Sequence, residues 1–494
     1  MSFVKKQMSL WNRKLLILVR KKTIIKINNF AENSKQSGVV FMKVVKFGGT
    51  SLASGKQIQK VFDIVVSDPK RKIVVVSAPG KRFDGDTKVT DMLIACAQRS
   101  LQGEDAADLL EAVAKRYESI VKDLEMSDEI AKEIRTDIER RLQGDKSHPE
   151  RFLDNVKAAG EDNNAKLIAA YFQDRGVEAN YVHPKEAGLL VSDEPGNAQV
   201  LPESYERLYS LREKSGIMIF PGFFGCSKNG DVVTFSRGGS DITGSILANG
   251  VKAELYENFT DVDAVYAVNP NFVTCPKEIQ ELTYREMREL SYAGFSVFHD
   301  EALVPAFRAG IPVNIKNTNN PTAPGTKIVN ARETKNGPVV GIASDEGFCS
   351  IYVQKYLMNR EIGFGRKLLQ IFEDFGLSYE HIPSGIDDVT VILRETQFDG
   401  ELEQAILRQI TEKLDADEVK IQHRLALIML VGEGMRRNVG TTARAAGALA
   451  KAGINIEMVN QGSSEVSMMF AVKEEVERRA VQALYDEFFV SVPV

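Results

Sequence analysis

Two glycine pairs concentrate the residues that could do chemistry. The first follows a lysine, in Lys46-Phe47-Gly48-Gly49-Thr50-Ser51. The second follows an arginine, in Arg237-Gly238-Gly239-Ser240-Asp241. Glycine pairs let backbone N–H groups approach an anion without a Cβ in the way. A helix starting behind such a pair adds a partial positive charge. The lysine precedes its glycines, so this is not a Walker loop. The Lys46 ammonium can instead reach over the turn towards a transferring phosphoryl group. The Arg237 guanidinium is a planar fork that fits a carboxylate. A phosphate donor and a small anionic acceptor are the chemistry these types suggest. The bland alternatives are a solvated strand-end lysine and a tight turn carrying a surface arginine.

Both motifs need a strand before them and a helix after. Lys43 to Phe47 is a β-branched run, and Ile58, Val61, Phe62 and Val65 then repeat at helical spacing. Val232 to Phe235 is strand-like, and an amphipathic run follows to Gly250. Ser240 or Asp241 is expected to cap that helix, and Gly250 to end it in a left-handed turn. Lys72 to Ala78 is a second apolar strand, broken at Pro79-Gly80. Thr90 or Asp91 is expected to cap the next helix, within a long helical region from about Met92 to Leu142. Gly160-Glu161-Asp162-Asn163-Asn164 opens another helix. A carboxylate there is a cap, or it holds a substrate ammonium. Val177 to Val182, Ile217 to Phe223, Ala253 to Asp261 and Ile311 to Lys316 read as further strands. Alternating strands and helices predict a mostly parallel sheet between helices. Lys46, Thr90, Arg237 and Thr260 then fall at the carboxyl ends of strands, where such sheets bind ligands.

The pattern changes after Asn317 to Gly325, which is linker chemistry. From Val340 onward a βαββαβ order appears and then recurs, so two ferredoxin-like units are expected. The expected domains are a basic extension over 1–41, a catalytic α/β domain over 42–335, and repeat units over 341–424 and 425–494.

The 494 residues exceed what one compact core needs. A net charge of −5 conceals a basic start, where nine lysines and arginines face Glu32 alone over residues 1–41. The body is therefore acidic, which argues against nucleic acid as a partner. Residues 1–41 suit an unstructured extension, an organelle transit peptide or a membrane-surface helix, or they precede a true start at Met42. Cys96, Cys226, Cys275 and Cys349 form no CxxC pair, which fits free thiols in a reducing, cytoplasmic setting. No apolar run approaches membrane-spanning length.

Taken together, Lys46-Phe47-Gly48-Gly49-Thr50-Ser51, Arg237-Gly238-Gly239-Ser240-Asp241, Thr260-Asp261-Val262 and the double tail unit resemble the aspartokinases, a branch of the amino-acid-kinase family. Segments such as SAPGK and GEDNNAKLIAAYF are similar to the monofunctional enzymes of Bacillus-type bacteria, with no homoserine dehydrogenase half expected. The resemblance implies an amino-acid-kinase fold followed by two ACT units. It implies phosphorylation of the L-aspartate side chain by ATP with Mg²⁺ held through the phosphates, giving 4-phospho-L-aspartate for lysine, threonine, methionine and diaminopimelate synthesis. By resemblance Lys46 stabilises the transferring phosphoryl group and Asp241 orients Lys46. Gly48, Gly49, Thr50 and Ser51 line the phosphates. Thr90, Glu161, Arg237 and Ser240 hold aspartate, while Thr260, Asp261 and Tyr266 face the nucleotide. No dedicated metal ligands are expected.

Two positions depart from the family pattern. Asn271 stands where an arginine is usual, and Ser296 where a lysine is usual. Lys88 and Lys316 are possible replacements. The first ACT unit is expected to carry an effector site, with Met358, Gly363, Phe364 and Gly365 in a loop and Glu380, Ser384 and Asp387 opposite. The two acids suit an ammonium, so lysine is the first choice of effector. The second unit, with Asn438, Gly440, Asn455 and Gln461, suits threonine or subunit pairing. A homodimer or larger assembly through the ACT units is implied. The competing readings are a catalytically weak ACT-type sensor of amino acids, and a kinase for glutamate or acetylglutamate.

Overall fold

The computed structural model describes residues 41–490 except 237, 296–300, 335, 336, 398, 463 and 465. The expectations for residues 1–40 and for Arg237 and Ser296 lie outside the described residues. Contacts divide the chain into two units. The first comprises Met1–Val265, Gln280–Tyr284 and Val297–Arg332, and the second Tyr266–Ile279, Arg285–Ser296 and Glu333–Val494. The second unit thus takes in two segments that precede the linker.

The first unit is built on an eight-stranded sheet. Its strands are β1 (Lys43–Phe47), β2 (Arg71–Val76), β3 (Ala179–Tyr181), β4 (Ile217–Pro221), β5 (Leu255–Thr260), β6 (Glu281–Thr283), β7 (Val313–Asn317) and β8 (Thr326–Val329). Their order is β6-β8-β7-β5-β1-β2-β4-β3. All neighbours are parallel except β7 and β8. Side-chain alternation gives the central strand β1 two jobs. Val45 and Phe47 point to the face covered by helix α1 (Gly55–Ser67), where Ile58, Val61, Phe62 and Val65 share their core. Each such buried side chain contributes about 1.5–3 kcal/mol. Lys46 lies on the opposite face, in register with Asn258 of β5.

The long helical region is three helices, not one. Helix α2 (Val89–Gln102) ends at Gly103 in the left-handed region, and Glu125, at φ 57°, separates Ala107–Asp123 from Glu129–Leu142. Helix α3 (Ala159–Asp174) and helix α4 (Gly239–Gly250) complete the surroundings of the site. The expected caps are not used. The N-cap of α4 is Gly238, at φ 76°, and Lys88 precedes α2 with no side-chain cap. Gly250 does not turn left-handed; Lys252 does, at φ 51°. A Cβ at Gly250 would lie 2.6 Å from Leu208 Cβ, so close packing explains that glycine.

The second unit contains a five-stranded sheet of β9 (Gly341–Gln354), β10 (Asp388–Arg394), β11 (Glu418–Val431), β12 (Met458–Asn460) and β13 (Ser467–Lys473), in the order β10-β9-β11-β13-β12. Helices α5 (Phe364–Asp374) and α6 (Gly400–Leu414) pack with β9 and β10 around Leu368, Ile371, Phe372, Ile406 and Ile410. Helices α7 (Thr441–Lys451) and α8 (Glu477–Tyr485) follow. Between α5 and β10, where the expected βαββαβ order requires a strand, the described residues form single bridges at His381 and Ser384. Among the described residues the second repeat contains no fourth strand of its own. Gly341–Asp345 supplies it, pairing antiparallel with Leu427–Val431. One long strand therefore serves both repeats, with a register shift between Asp345 and Phe348 beside Gly347 (φ 82°). Arg424, at φ 58°, bends the partner strand nearby.

Candidate active site

The carboxyl ends of β1, β2 and β5 and the first turns of α2, α3 and α4 enclose a cavity of about 410 Å³. Lys46, Gly48, Gly49, Thr50, Thr90, Glu161, Ser240, Asp241, Thr260 and Asp261 all line it. Lys46 is 7% exposed, and its Nζ lies 2.6 Å from Asp241 Oδ1. Asn258 Nδ2 donates to the same Asp241 oxygen, and Tyr256 OH donates to the Asp241 carbonyl at 3.2 Å. Tyr256 and Asn258 alternate on one face of β5, so the strand itself fixes the acid that holds the lysine. Asn258 was not singled out from sequence. Its signal is a polar pair, Glu257-Asn258, buried in the middle of a strand between Tyr256 and Phe259.

The turn after β1 is held against the next strand's end. Gly48 N donates to Phe259 O at 3.1 Å, and Gly80 N donates to Gly49 O at 2.9 Å. A Cβ on Gly80 would sit 2.5 Å from the Gly49 carbonyl carbon, so only glycine permits this contact. Ser51 does not line the cavity. It is buried, with its hydroxyl 2.7 Å from Thr318 Oγ1.

Glu161 stands in the first turn of α3, 4% exposed, and its Oε2 has no hydrogen-bond partner. Burial pushes its carboxyl up to about 8, with the backbone amides of Ala78 and Glu161 pulling the other way. An unpartnered buried carboxylate oxygen in a polar cavity is matched by an ammonium. Neighbouring groups hold α3 in place: Tyr117 OH donates to Gly160 O at 2.9 Å, and Asn164 Nδ2 to Ser77 O at 2.6 Å. The loop before α4 is anchored by Asp154, 1% exposed, which accepts from Thr234 N at 2.7 Å, Thr234 Oγ1 at 3.0 Å and Gly196 N at 3.0 Å.

Lys88 lines the cavity, as does Lys81. Lys316 does not. It is paired in register with Phe259, so it projects from the sheet face opposite Lys46, where burial holds its ammonium below the ordinary lysine range. Tyr266 ends the short strand Val265–Tyr266 and belongs to the second unit.

Residues 42–317 match the amino acid kinase family, and residues 428–488 match the ACT domain. The chain is 70% identical over 451 residues to aspartokinase 3 of Bacillus subtilis (strain 168), covering 91% of this chain and 99% of that one. The chain belongs to the aspartokinases. This aspartokinase is also similar in structure to the aspartate kinase of Clostridium acetobutylicum, with a TM-score of 0.81 and 37% identity over 90% of this chain and 100% of that one. Escherichia coli aspartokinase III is similar too. Its complex with aspartate and ADP aligns with a TM-score of 0.72 at 26% identity, covering 91% and 100% of the two chains. Its complex with lysine and aspartate aligns at 0.70 and 27%, covering 91% and 99%. The α/β kinase fold, the ACT region and the aspartate kinase activity follow for this chain.

In the second unit the expected effector residues fall into two groups. Asp387 Oδ1 accepts from Leu357 N at 2.9 Å, and Lys355 N donates to Asp387 O at 2.8 Å, so this acid braces the loop before Met358. Gly363, at φ 80°, is the N-cap of α5, and Gly365 lies in its first turn. The Met358 and Phe364 side chains point into the core. Glu380 accepts from Tyr292 OH and lies 3.6 Å from Arg394 Nε. Ser384 forms a bridge with Val389. Among the described residues no cluster of three or more His, Cys, Asp or Glu could hold a metal ion, and no helix is long and apolar enough to cross a membrane.

Proposed function

We propose that this cavity transfers the γ-phosphoryl group of ATP to the side-chain carboxylate of L-aspartate, giving 4-phospho-L-aspartate. One observation carries the reading. The Lys46 ammonium and the unpartnered Glu161 oxygen open into the same cavity, between both glycine turns. Glu161 takes the substrate ammonium, with Thr90 and Ser240 beside it. Arg237 is assigned to a substrate carboxylate by its chemistry. Gly48, Gly49 and Thr50 cradle the phosphates, with Thr260 and Asp261 on the nucleotide side. The E. coli relative in complex with aspartate and ADP supports the substrate pair.

The acceptor is already a carboxylate, so no general base is required. Catalysis reduces to positioning and charge neutralisation. Asp241, fixed by Asn258, aims Lys46 at the transferring group. The cavity's acids are few and Asp241 is committed to Lys46, which suits a magnesium ion carried mainly on the nucleotide phosphates. Bound there, the ion would neutralise phosphate charge.

An amino acid regulates the enzyme at the first ACT unit through Glu380 and Asp387. Lysine is the first choice, since the E. coli relative is known with lysine and aspartate, and threonine is possible. The assembly is a homodimer or larger through the ACT units, and the setting is cytoplasmic. The deciding experiment is an ATP/aspartate hydroxamate assay with aspartate binding measured by calorimetry. Lys46→Ala is expected to lose turnover and keep aspartate binding. Wild-type turnover in Lys46→Ala would refute the assignment.

A further inference from the structure

The loop Gly80–Lys88 has features that the reaction as described does not use. Its two flanking lysines, Lys81 and Lys88, are exposed and line the same cavity as Lys46. Among the described residues the loop's ion pairs all run through Asp86, to Arg82 and to Arg116, and none uses either lysine. The loop is held from beneath. Arg116 is 5% exposed; its NH1 donates to Gly80 O at 2.8 Å, and its NH2 to both Asp86 oxygens at 2.9 Å and to Thr87 O at 3.1 Å. Arg82 closes on the same carboxylate at 2.8 and 3.0 Å, which helps hold Asp86 well below the usual carboxylate range. The loop's start is docked on the phosphate turn through Gly80 N and Gly49 O, and Val89 N donates to Pro79 O at 3.1 Å.

Resting on the reading above, we propose that this loop is a cationic clamp on the nucleotide, with Lys81 and Lys88 as direct ligands of the β- and γ-phosphates. Three observations support it. Lys46 is already balanced by Asp241 at 2.6 Å, so it alone leaves most of a triphosphate's charge unmet. The two further cations stand beside the glycine turn and have no partner among the described carboxylates. A buried guanidinium holds the loop before ligand arrives, so less ordering remains to be done on binding. Arg116 and Asp86 are positioning residues; the lysines are the ones that touch phosphate.

The test is steady-state kinetics on the full chain with Lys81→Ala, Lys88→Ala, the double variant and the matching arginine variants. Lys46→Ala is run in parallel. Each alanine variant is expected to raise KM for ATP about fivefold to tenfold, as for a phosphate contact near the surface. The double variant is expected to raise it about thirtyfold or more. KM for aspartate should change less than about twofold, the arginine variants should keep most of the affinity, and the salt dependence of KM for ATP should flatten in the double variant. An unchanged KM for ATP in the double variant, with Lys46→Ala inactive, would overturn the clamp alone. A matching rise in KM for aspartate would also overturn it, by moving the lysines to the acceptor. Full activity in Lys46→Ala would overturn the phosphate site itself.

Discussion

Glu161→Gln is expected to make the ligand-free protein more stable and the enzyme worse. The buried carboxyl is pushed from 4.5 to about 8. Below the unfolded value both states hold the proton and the group contributes nothing. Between the two values the unfolded chain ionises while the folded chain keeps its proton. The folded state then loses about 1.4 kcal/mol per pH unit, until the loss levels off above the folded value. At about pH 7 this amounts to about 3 kcal/mol. Glutamine cannot ionise and keeps an oxygen for the Ala78 amide, so the variant removes this cost. For a domain of this size it is expected to melt about 5–10 °C higher at neutral pH, with the gain vanishing near pH 4.5. The same change removes the partner of the substrate ammonium, so KM for aspartate should rise at least about thirtyfold, corresponding to about 2 kcal/mol or more. Binding of aspartate to the wild type should release a proton and tighten as pH rises towards 8. Scanning fluorimetry from about pH 5 to about pH 9, with and without aspartate, reads both effects. A ligand-free variant that melts lower than wild type at every pH, or that gains as much stability from a given aspartate concentration as wild type does, would refute the assignment.

Asn258→Leu removes the amide that fixes Asp241 and should lower kcat about tenfold to a hundredfold with little change in either KM, as measured by initial rates. Asp154→Asn leaves four donors around a weaker acceptor and should destabilise the first unit by about 3 kcal/mol, seen as a lower urea midpoint. Glu380→Gln should raise the lysine concentration needed for half-inhibition about tenfold or more and leave uninhibited kcat unchanged, as read from inhibition curves.

Local patterns carried the site further than they carried the fold. The strand-turn pairs at Phe47-Gly48 and Phe235-Ser236 were legible because glycine pairs after apolar runs leave few other conformations. The helix starts differ from expectation for a physical reason. Ser240 and Asp241 are good capping types, but Gly238 already supplies the turn, and the Asp241 carboxylate is drawn to Lys46 and Asn258 instead; Thr90 lies inside a helix that already starts at Val89. Ser51 fits a phosphate loop by type, yet the tight turn directs it to Thr318. Lys316 is basic and near the site in sequence order, but alternation puts it on the other face of the sheet. The shared strand Gly341–Gln354 was beyond local reading altogether. Its pairing with Leu427–Val431 is set by contacts far apart in the chain, and no residue near Gly341 advertises them. Asn258 was overlooked because an asparagine inside a strand is more often a weak point than a hinge-pin.

Lys46 and Glu161 are assigned to the two substrates of a single transfer, and everything else in the proposed reaction depends on that pairing. Its most direct test is a crystal structure of this enzyme with aspartate and a non-hydrolysable ATP analogue. The prediction is that the aspartate ammonium lies within hydrogen-bond distance of Glu161 Oε2 and a γ-phosphate oxygen within reach of Lys46 Nζ. Aspartate bound away from Glu161, or a triphosphate that bypasses the Gly48-Gly49 turn, would contradict it.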